Sequence, residues 1–220
     1  MDRILKAALF DLDGTLIDTE GQYSKFWNGI AKRYHPDIPD FANRIKGTTL
    51  VQIFKTYFPQ KEVQEELIAK LKELEASMDF TPYPGVVDFI TDLKKEGIKT
   101  AIVTSSGRVK LQSFQAAYPE FVSMFDRILT AEDFSASKPD PDCYLKAAAA
   151  LGCGIDECVV FEDAFTGLQA GMSSGMFTIG LPTTNSREEI EGKCHCILDS
   201  WVGFNTDSLR KFLQGEIVTY

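Results

Sequence analysis

Ala7-Ala8-Leu9-Phe10-Asp11-Leu12-Asp13-Gly14-Thr15 is the stretch on which the reading of this chain turns. An apolar run, 7–10, leads without alternation into two acids, a glycine and a threonine. A run bounded in this way predicts a short strand buried on both faces and ending in a loop. Asp11 and Asp13 then stand at the carboxyl end of a strand, where open α/β sheets place their ligands. If the strand direction continues, residues two apart share one face. Gly14 lets the chain leave sharply. Paired carboxylates repel each other unless a cation or a shared proton lies between them. Alone, the pair also reads as an acidic turn.

The same short apolar signature recurs at 99–103, 127–129, 158–161 and 176–179. Helical periods fall between these runs. Residues 86–96 set Val86, Phe89, Ile90 and Leu93 on one face, with Gly97 as the stop. Residues 141–151 begin at Pro141 and end at Gly152, the expected asymmetry. Shorter helices are expected at 165–173 and 208–213. Strand–helix alternation predicts right-handed βαβ units, and hence a doubly wound parallel sheet of Rossmann-like α/β class. Residues 18–80 contain no buried strand, only helical periods at 23–34, 50–57 and 60–78. They predict an all-helical domain inserted into a core made of 1–17 and 81–220. Thr81-Pro82-Tyr83-Pro84-Gly85 reads as the return linker. The charged run 61–75 reads as a solvated helix face.

Three further features stand at or beyond the ends of predicted strands. Thr104-Ser105-Ser106-Gly107 leads into a helix from Arg108, and such a junction offers hydroxyls and N–H groups to an anion, or simply an N-cap. In Ser137-Lys138-Pro139-Asp140-Pro141 the prolines stiffen the loop and fix where Lys138 points. Glu162-Asp163 closes the run 158–161 as a second acidic pair, a candidate hard-cation site; Asp163 is also placed to cap the helix at Phe165.

The chain has 220 residues and a net charge of −9, with 44% hydrophobic and 25% charged residues. That composition belongs to a globular protein with a sizeable core. The acidic balance speaks against nucleic acid and anionic membrane partners, so any phosphate site must be locally positive. No long apolar run opens the chain, and none approaches the ~20 residues of a membrane span. A cytoplasmic monomer is expected. Five cysteines are an odd number and do not suggest a disulfide framework. Cys194-His195-Cys196 offers metal-ligand types without a second pair nearby, and reads more naturally as a late strand with alternating Cys facing the core.

The four features, in this order, resemble the haloacid dehalogenase superfamily of phosphohydrolases over nearly the whole chain. DxDGT stands as Asp11 to Thr15, the second-motif Thr as Thr104, and the third-motif Lys as Lys138. The final acidic motif stands as Glu162-Asp163. Ile17-Asp18-Thr19-Glu20 and the PYPGV segment resemble the branch with a helical cap, which includes β-phosphoglucomutase and many sugar-phosphate phosphatases. The resemblance implies a phosphatase acting on a small phosphorylated metabolite. Asp11 would be the nucleophile and Asp13 the general acid and base. Mg²⁺ would be held by Asp11, the Asp13 carbonyl and Asp163, with Glu162 assisting. Thr104 and Lys138 would hold the phosphoryl oxygens. Substrate contacts are expected from Lys46, Gly47, Thr48 and Thr49 on the cap and from Ser105 and Arg108 on the core, with Tyr23 and Trp27 as further lining.

The chain departs from the mutases of that branch at two places. Tyr23 occupies the position of their cap His, and Leu50 that of the cap Arg that holds a second phosphate. A hydrolase is therefore expected before a hexose-phosphate mutase. Asp13 speaks against dehalogenation, since dehalogenases lack that acid. Phosphonate hydrolysis needs a cap Lys as a Schiff base, and Lys25 and Lys46 read as ordinary solvated lysines. A non-catalytic interaction protein would have no need of the full acid set and Lys138.

Overall fold

The structure, a computed structural model, describes residues 4–46 and 48–215. It is a parallel sheet with helices on both faces and a helical insert after the first strand. The strands are β1 (Ala7–Phe10), β2 (Lys99–Val103), β3 (Arg127–Leu129), β4 (Cys158–Glu162), β5 (Phe177–Gly180) and β6 (Cys196–Ile197). They are ordered β3-β2-β1-β4-β5-β6, every pair parallel. Between β1 and the next core helix come α1 (Glu20–Tyr34), α2 (Phe41–Ile45), α3 (Leu50–Tyr57) and α4 (Lys61–Ala76). The core helices are α5 (Val86–Lys95), α6 (Arg108–Ala117), α7 (Pro119–Val122), α8 (Asp142–Leu151), α9 (Phe165–Ser173), α10 (Arg187–Ile190) and α11 (Thr206–Leu213).

The unbroken apolar character of β1 has its cause in the two layers. Ala8 and Phe10 face one cluster with Phe89 and Ile90 of α5, Phe114 of α6 and Leu209 of α11. Ala7 and Leu9 face the opposite cluster with Tyr144, Ala147 and Leu151 of α8 and Ala170 of α9. Side chains alternate along a strand, so only a strand covered twice can be apolar at every position. Phe10 and Phe161 are paired in register across β1 and β4, and their rings stack with centroids 4.8 Å apart. Each directly precedes an acid, Asp11 or Glu162. Burying a ring of this size contributes about 1.5–3 kcal/mol, and the stack holds the ends of the two strands level.

The insert has a core of its own, with Trp27, Phe41, Phe54, Phe58 and Leu67 buried together. The chain enters and leaves it side by side: the Asp18 N–H donates to Thr81 O at 3.1 Å, and the Tyr83 N–H donates to Leu16 O at 3.0 Å. Met78 and Phe80 already pack into the sheet's cluster. The helices α2, α7 and α10, of four or five residues, have no counterpart in the sequence reading; so few residues give no readable period. Cys194 and Cys196 are only half-buried, and the Cys194 sulfur lies against Gly180. His195 accepts from the Thr178 N–H through Nδ1 at 3.0 Å, so the triplet closes the sheet edge. No helix among the described residues is long and apolar enough to cross a membrane.

Helix α11 is tied to α5 by one carboxylate. Asp92 accepts from the Thr206 N–H at 2.8 Å and from its hydroxyl at 2.6 Å. These bonds hold the Asp92 carboxyl below its usual range. Replacing Asp92 by Ala leaves the first turn of α11 short of an acceptor and is expected to cost about 1–2 kcal/mol. Urea unfolding measures this, and an unchanged midpoint would mean that water replaces the carboxylate at no cost.

Candidate active site

The loops beyond β1, β2 and β4 converge because those strands are neighbours in the sheet. Asp11 follows β1 directly, and its N–H donates to Phe161 O at 3.0 Å. Gly14 then turns at φ +82°, a conformation that favours glycine. The Trp201 indole N–H donates to Thr15 O at 3.0 Å, and the Thr183 hydroxyl bonds Gly14 O. The loop carrying both acids is therefore held by its backbone.

Lys138 is 2% exposed and lies between two carboxylates. Its Nζ donates to Asp11 Oδ1 and Glu162 Oε1, both at 2.6 Å, and to Val103 O at 3.1 Å. Glu162 Oε1 also accepts from the Tyr144 hydroxyl at 2.7 Å, while Oε2 accepts from the N–H groups of Asp163 and Ala164. Both oxygens of Glu162 are thus in use. Asp163 Oδ1 accepts from the Thr15 hydroxyl at 2.8 Å. It does not cap α9, whose N-cap is Ala164; the partner across the loop claims its side chain instead.

Asp11, Glu162 and Asp163 bring carboxylate oxygens within 4.8 Å of one another. Burial pushes the Asp11 carboxyl up, and the charges of Glu162 and Asp13 add to this against the pull of Lys138. Asp163 is driven well up by burial and by Glu162 and Asp11. Lys138 is raised although burial opposes it, because Asp11 and Glu162 flank it. One lysine does not balance this group. An all-oxygen set with excess negative charge suits a hard divalent cation. The oxygens not claimed by Lys138 or Thr15, on Asp11 and Asp163, are the ones a cation could use, the Asp163 oxygen lying beside the Thr184 hydroxyl.

Asp13 is held differently. Ser106 Oγ donates to its Oδ2 at 2.9 Å, and both Lys110 Nζ and the Thr19 hydroxyl bond its Oδ1. Burial alone would raise its pKa, but Lys110 and these hydrogen bonds bring it below the ordinary value. Thr104 is buried, and its Oγ1 accepts the Ser106 N–H at 3.0 Å. The turn after β2 thus serves Thr104 and Asp13 together.

Above this floor the cavity is roofed by the helical insert. Of the sequence-predicted residues, Asp11, Asp13, Lys46, Thr48, Thr104, Ser105, Lys138, Glu162 and Asp163 line it, and so do Tyr23 and Trp27. Two do not. Arg108 is 62% exposed and pairs with Asp133 at 2.7 Å, because the first residue of α6 points off the helix end. Thr49 is buried as the N-cap of α3 in a capping box with Gln52. Gly47 lies outside the described residues. Sequence reading missed Glu20, Glu75, Lys110 and Tyr144. Glu75 ends the charged run 61–75 that reads as a solvated helix face, Lys110 lies on a helix given no reading beyond its start at Arg108, and only the tertiary fold brings them inward.

A family model for haloacid dehalogenase-like hydrolases matches residues 8–181. Among curated proteins, Hexitol phosphatase A of Escherichia coli is 32% identical, covering 80% of this chain and 82% of that protein. Beta-phosphoglucomutase of Bacillus subtilis is also 32% identical, covering 80% and 83%. The chain spans only 18% of the length of one longer Arabidopsis thaliana relative. Among solved structures, a HAD hydrolase of family IA, variant 3, from Entamoeba histolytica superposes with a TM-score of 0.82 at 26% identity, covering 96% of this chain and 100% of that one.

Gly167 tests how tightly Glu162 is held. A Cβ added there would overlap the Glu162 carboxylate. Gly167→Ala is expected to push Glu162 off Lys138 and to cost about 1–3 kcal/mol in denaturant unfolding. A variant as stable as the parent would show that the carboxylate has room to turn.

Proposed function

The chain belongs to the haloacid dehalogenase-like hydrolases, and we propose that within this family it is a magnesium-dependent phosphatase of small sugar or polyol phosphates. Its class, phosphoric monoester hydrolase, is that of its curated relatives named phosphatases. The observation that carries the proposal is Asp11. One of its oxygens is gripped by Lys138, and Asp13 stands on the wall of the same cavity.

Asp11 attacks phosphorus, and the bond from phosphorus to the ester oxygen breaks. The leaving oxygen takes a proton from Asp13. Water, deprotonated by Asp13, then attacks the phosphorylated Asp11; the phosphorus–Asp11 bond breaks and inorganic phosphate leaves. Asp13 must carry a proton in the first step, and an arriving phosphate anion raises its proton affinity by repulsion. Lys138 and Thr104 hold the phosphoryl oxygens as charge spreads over them. Glu162 anchors Lys138. Asp11, Asp163 and the Asp13 carbonyl would hold Mg²⁺, which when bound supplies positive charge that draws the phosphate to a carboxylate. The insert acts as a cap that keeps bulk water off the phosphorylated aspartate.

Six carboxylates, Asp11, Asp13, Glu20, Glu75, Glu162 and Asp163, line the cavity, against the two lysines Lys46 and Lys138. Lys46 is itself engaged, with Nζ 3.1 Å from Thr184 O and 3.7 Å from Glu20. With a divalent cation and one phosphate dianion the formal balance is still negative. A neutral polyol end is therefore favoured over a second phosphate or a carboxylate. The mutase alternative needs a second phosphate site, and the roof opposes one. Tyr23, at the mutase His position, gives its hydroxyl to Glu75 at 3.0 Å, and burial drives its pKa well up, so it does not titrate near neutrality.

Phosphate release is expected with Mg²⁺ and not with chelator, and Asp11→Asn is expected to lower it by at least about 10³-fold. Release by Asp11→Asn at the parent rate would remove the nucleophile from the scheme. Within a substrate panel, uncharged sugar and polyol monophosphates are expected to exceed bisphosphates and phosphocarboxylates in kcat/KM by at least about tenfold. Isomerised hexose phosphate in place of inorganic phosphate would establish the mutase instead.

A further inference from the structure

Lys110 is 3% exposed, yet it does not line the cavity. It lies on α6 of the core and touches both domains. On the core side its Nζ bonds Asp13 Oδ1 and lies 3.3 Å from the Ser106 hydroxyl. On the cap side it sits 4.4 Å over the ring of Tyr23. Tyr23 is in turn held by Glu75 of α4, a helix that packs on α6. A buried ammonium is tolerated only where it is fully partnered, and each of these partners either acts on Asp13 or belongs to the cap. The other donors to Asp13, Thr19 and Ser106, are neutral hydroxyls.

We infer that Lys110 is a positioning residue: it transmits the seat of the cap, through the ring of Tyr23, to the aim of the Asp13 carboxylate at the leaving oxygen. This rests on the reading of Asp13 as the general acid. The physical content is geometric. A carboxylate on a loop turns about two side-chain bonds, and proton transfer needs it within hydrogen-bond reach of one oxygen. Among the described residues Lys110 supplies the one charged hydrogen bond to Asp13, and it is buried beneath the cap residue Tyr23.

The test uses two substrates that differ in their need for an acid. An alkyl phosphate such as a polyol monophosphate expels a poor leaving group and needs the proton. p-Nitrophenyl phosphate expels a stable anion and needs it far less. The readout is the ratio of kcat/KM for the aryl ester to that for the alkyl ester, measured on one preparation so that the folded fraction cancels. Asp13→Asn is the reference and is expected to raise the ratio by about 10²-fold or more. Lys110→Met is expected to raise it by at least about tenfold, chiefly through kcat for the alkyl ester. Tyr23→Leu, which leaves the cation but removes its seat, is expected to raise it less, in the same direction. If Asp13→Asn raises the ratio while both other variants stay within about twofold of the parent, Lys110 is only a structural counter-charge and the inference fails. If Asp13→Asn itself leaves the ratio unchanged, the assignment of Asp13 as the acid fails, and the role of Lys110 with it.

Discussion

The buried contact of Lys138 with Asp11 and Glu162 is the constraint on which the rest of the site depends. Three carboxylates stand together at the ends of β1 and β4, where each would be costly alone. The ammonium of Lys138 offsets part of that charge, and through Val103 O it also ties the end of β2. One side chain from the loop before α8 thus fixes the ends of three adjacent strands. Tyr144, on α8 itself, closes the arrangement by donating to the same oxygen of Glu162 that Lys138 uses. The charge that remains uncompensated is on Asp11 and Asp163, and that is where a cation is wanted.

The scaffold packs closely behind this cluster. Phe10 and Phe161 stack directly behind the acids, and Phe89 and Trp201 close around them. Gly167 allows α9 to run against Glu162, with no room for a side chain between them. The carboxylate cannot retreat from Lys138 without moving a helix, and Lys138 cannot retreat without leaving a charge unpaired. Packing and electrostatics here enforce the same geometry.

Much of this was legible in the sequence, for identifiable reasons. β1, β2 and β3 have the bounds their apolar runs predicted, and α3 and α9 the bounds their helical periods predicted; for β1 the reason is burial on both faces. Asp11, Asp13 and Glu162-Asp163 were legible because each stands at a strand end or just beyond it, whereas Lys138, farther past β3, was legible through the prolines that stiffen its loop. Lys110 and Glu75 were not, because their role depends on partners 97 and 52 residues away. A charged residue on a helix reads as solvated until the domain that covers it is known. Arg108 fails in the opposite sense: it stands near the motif in sequence, but the helix start turns it toward Asp133 and solvent.

The two domains contribute unlike chemistry, and the contrast bears on how a substrate is chosen. The floor concentrates charge and holds it in fixed partnerships. The roof mixes Trp27, Leu50 and Ile53 with Glu20, Glu75 and Thr48. Apolar faces beside hydrogen-bonding side chains suit a carbon chain bearing hydroxyls, and burial raises the Glu20 and Glu75 carboxyls. The roof is carried by helices that have their own core and join the sheet through two adjacent strands of linker. The hydrogen bonds of Lys138 and Glu162 described above all go to the core, which is why the floor was readable from short motifs and the lining of the roof required the fold.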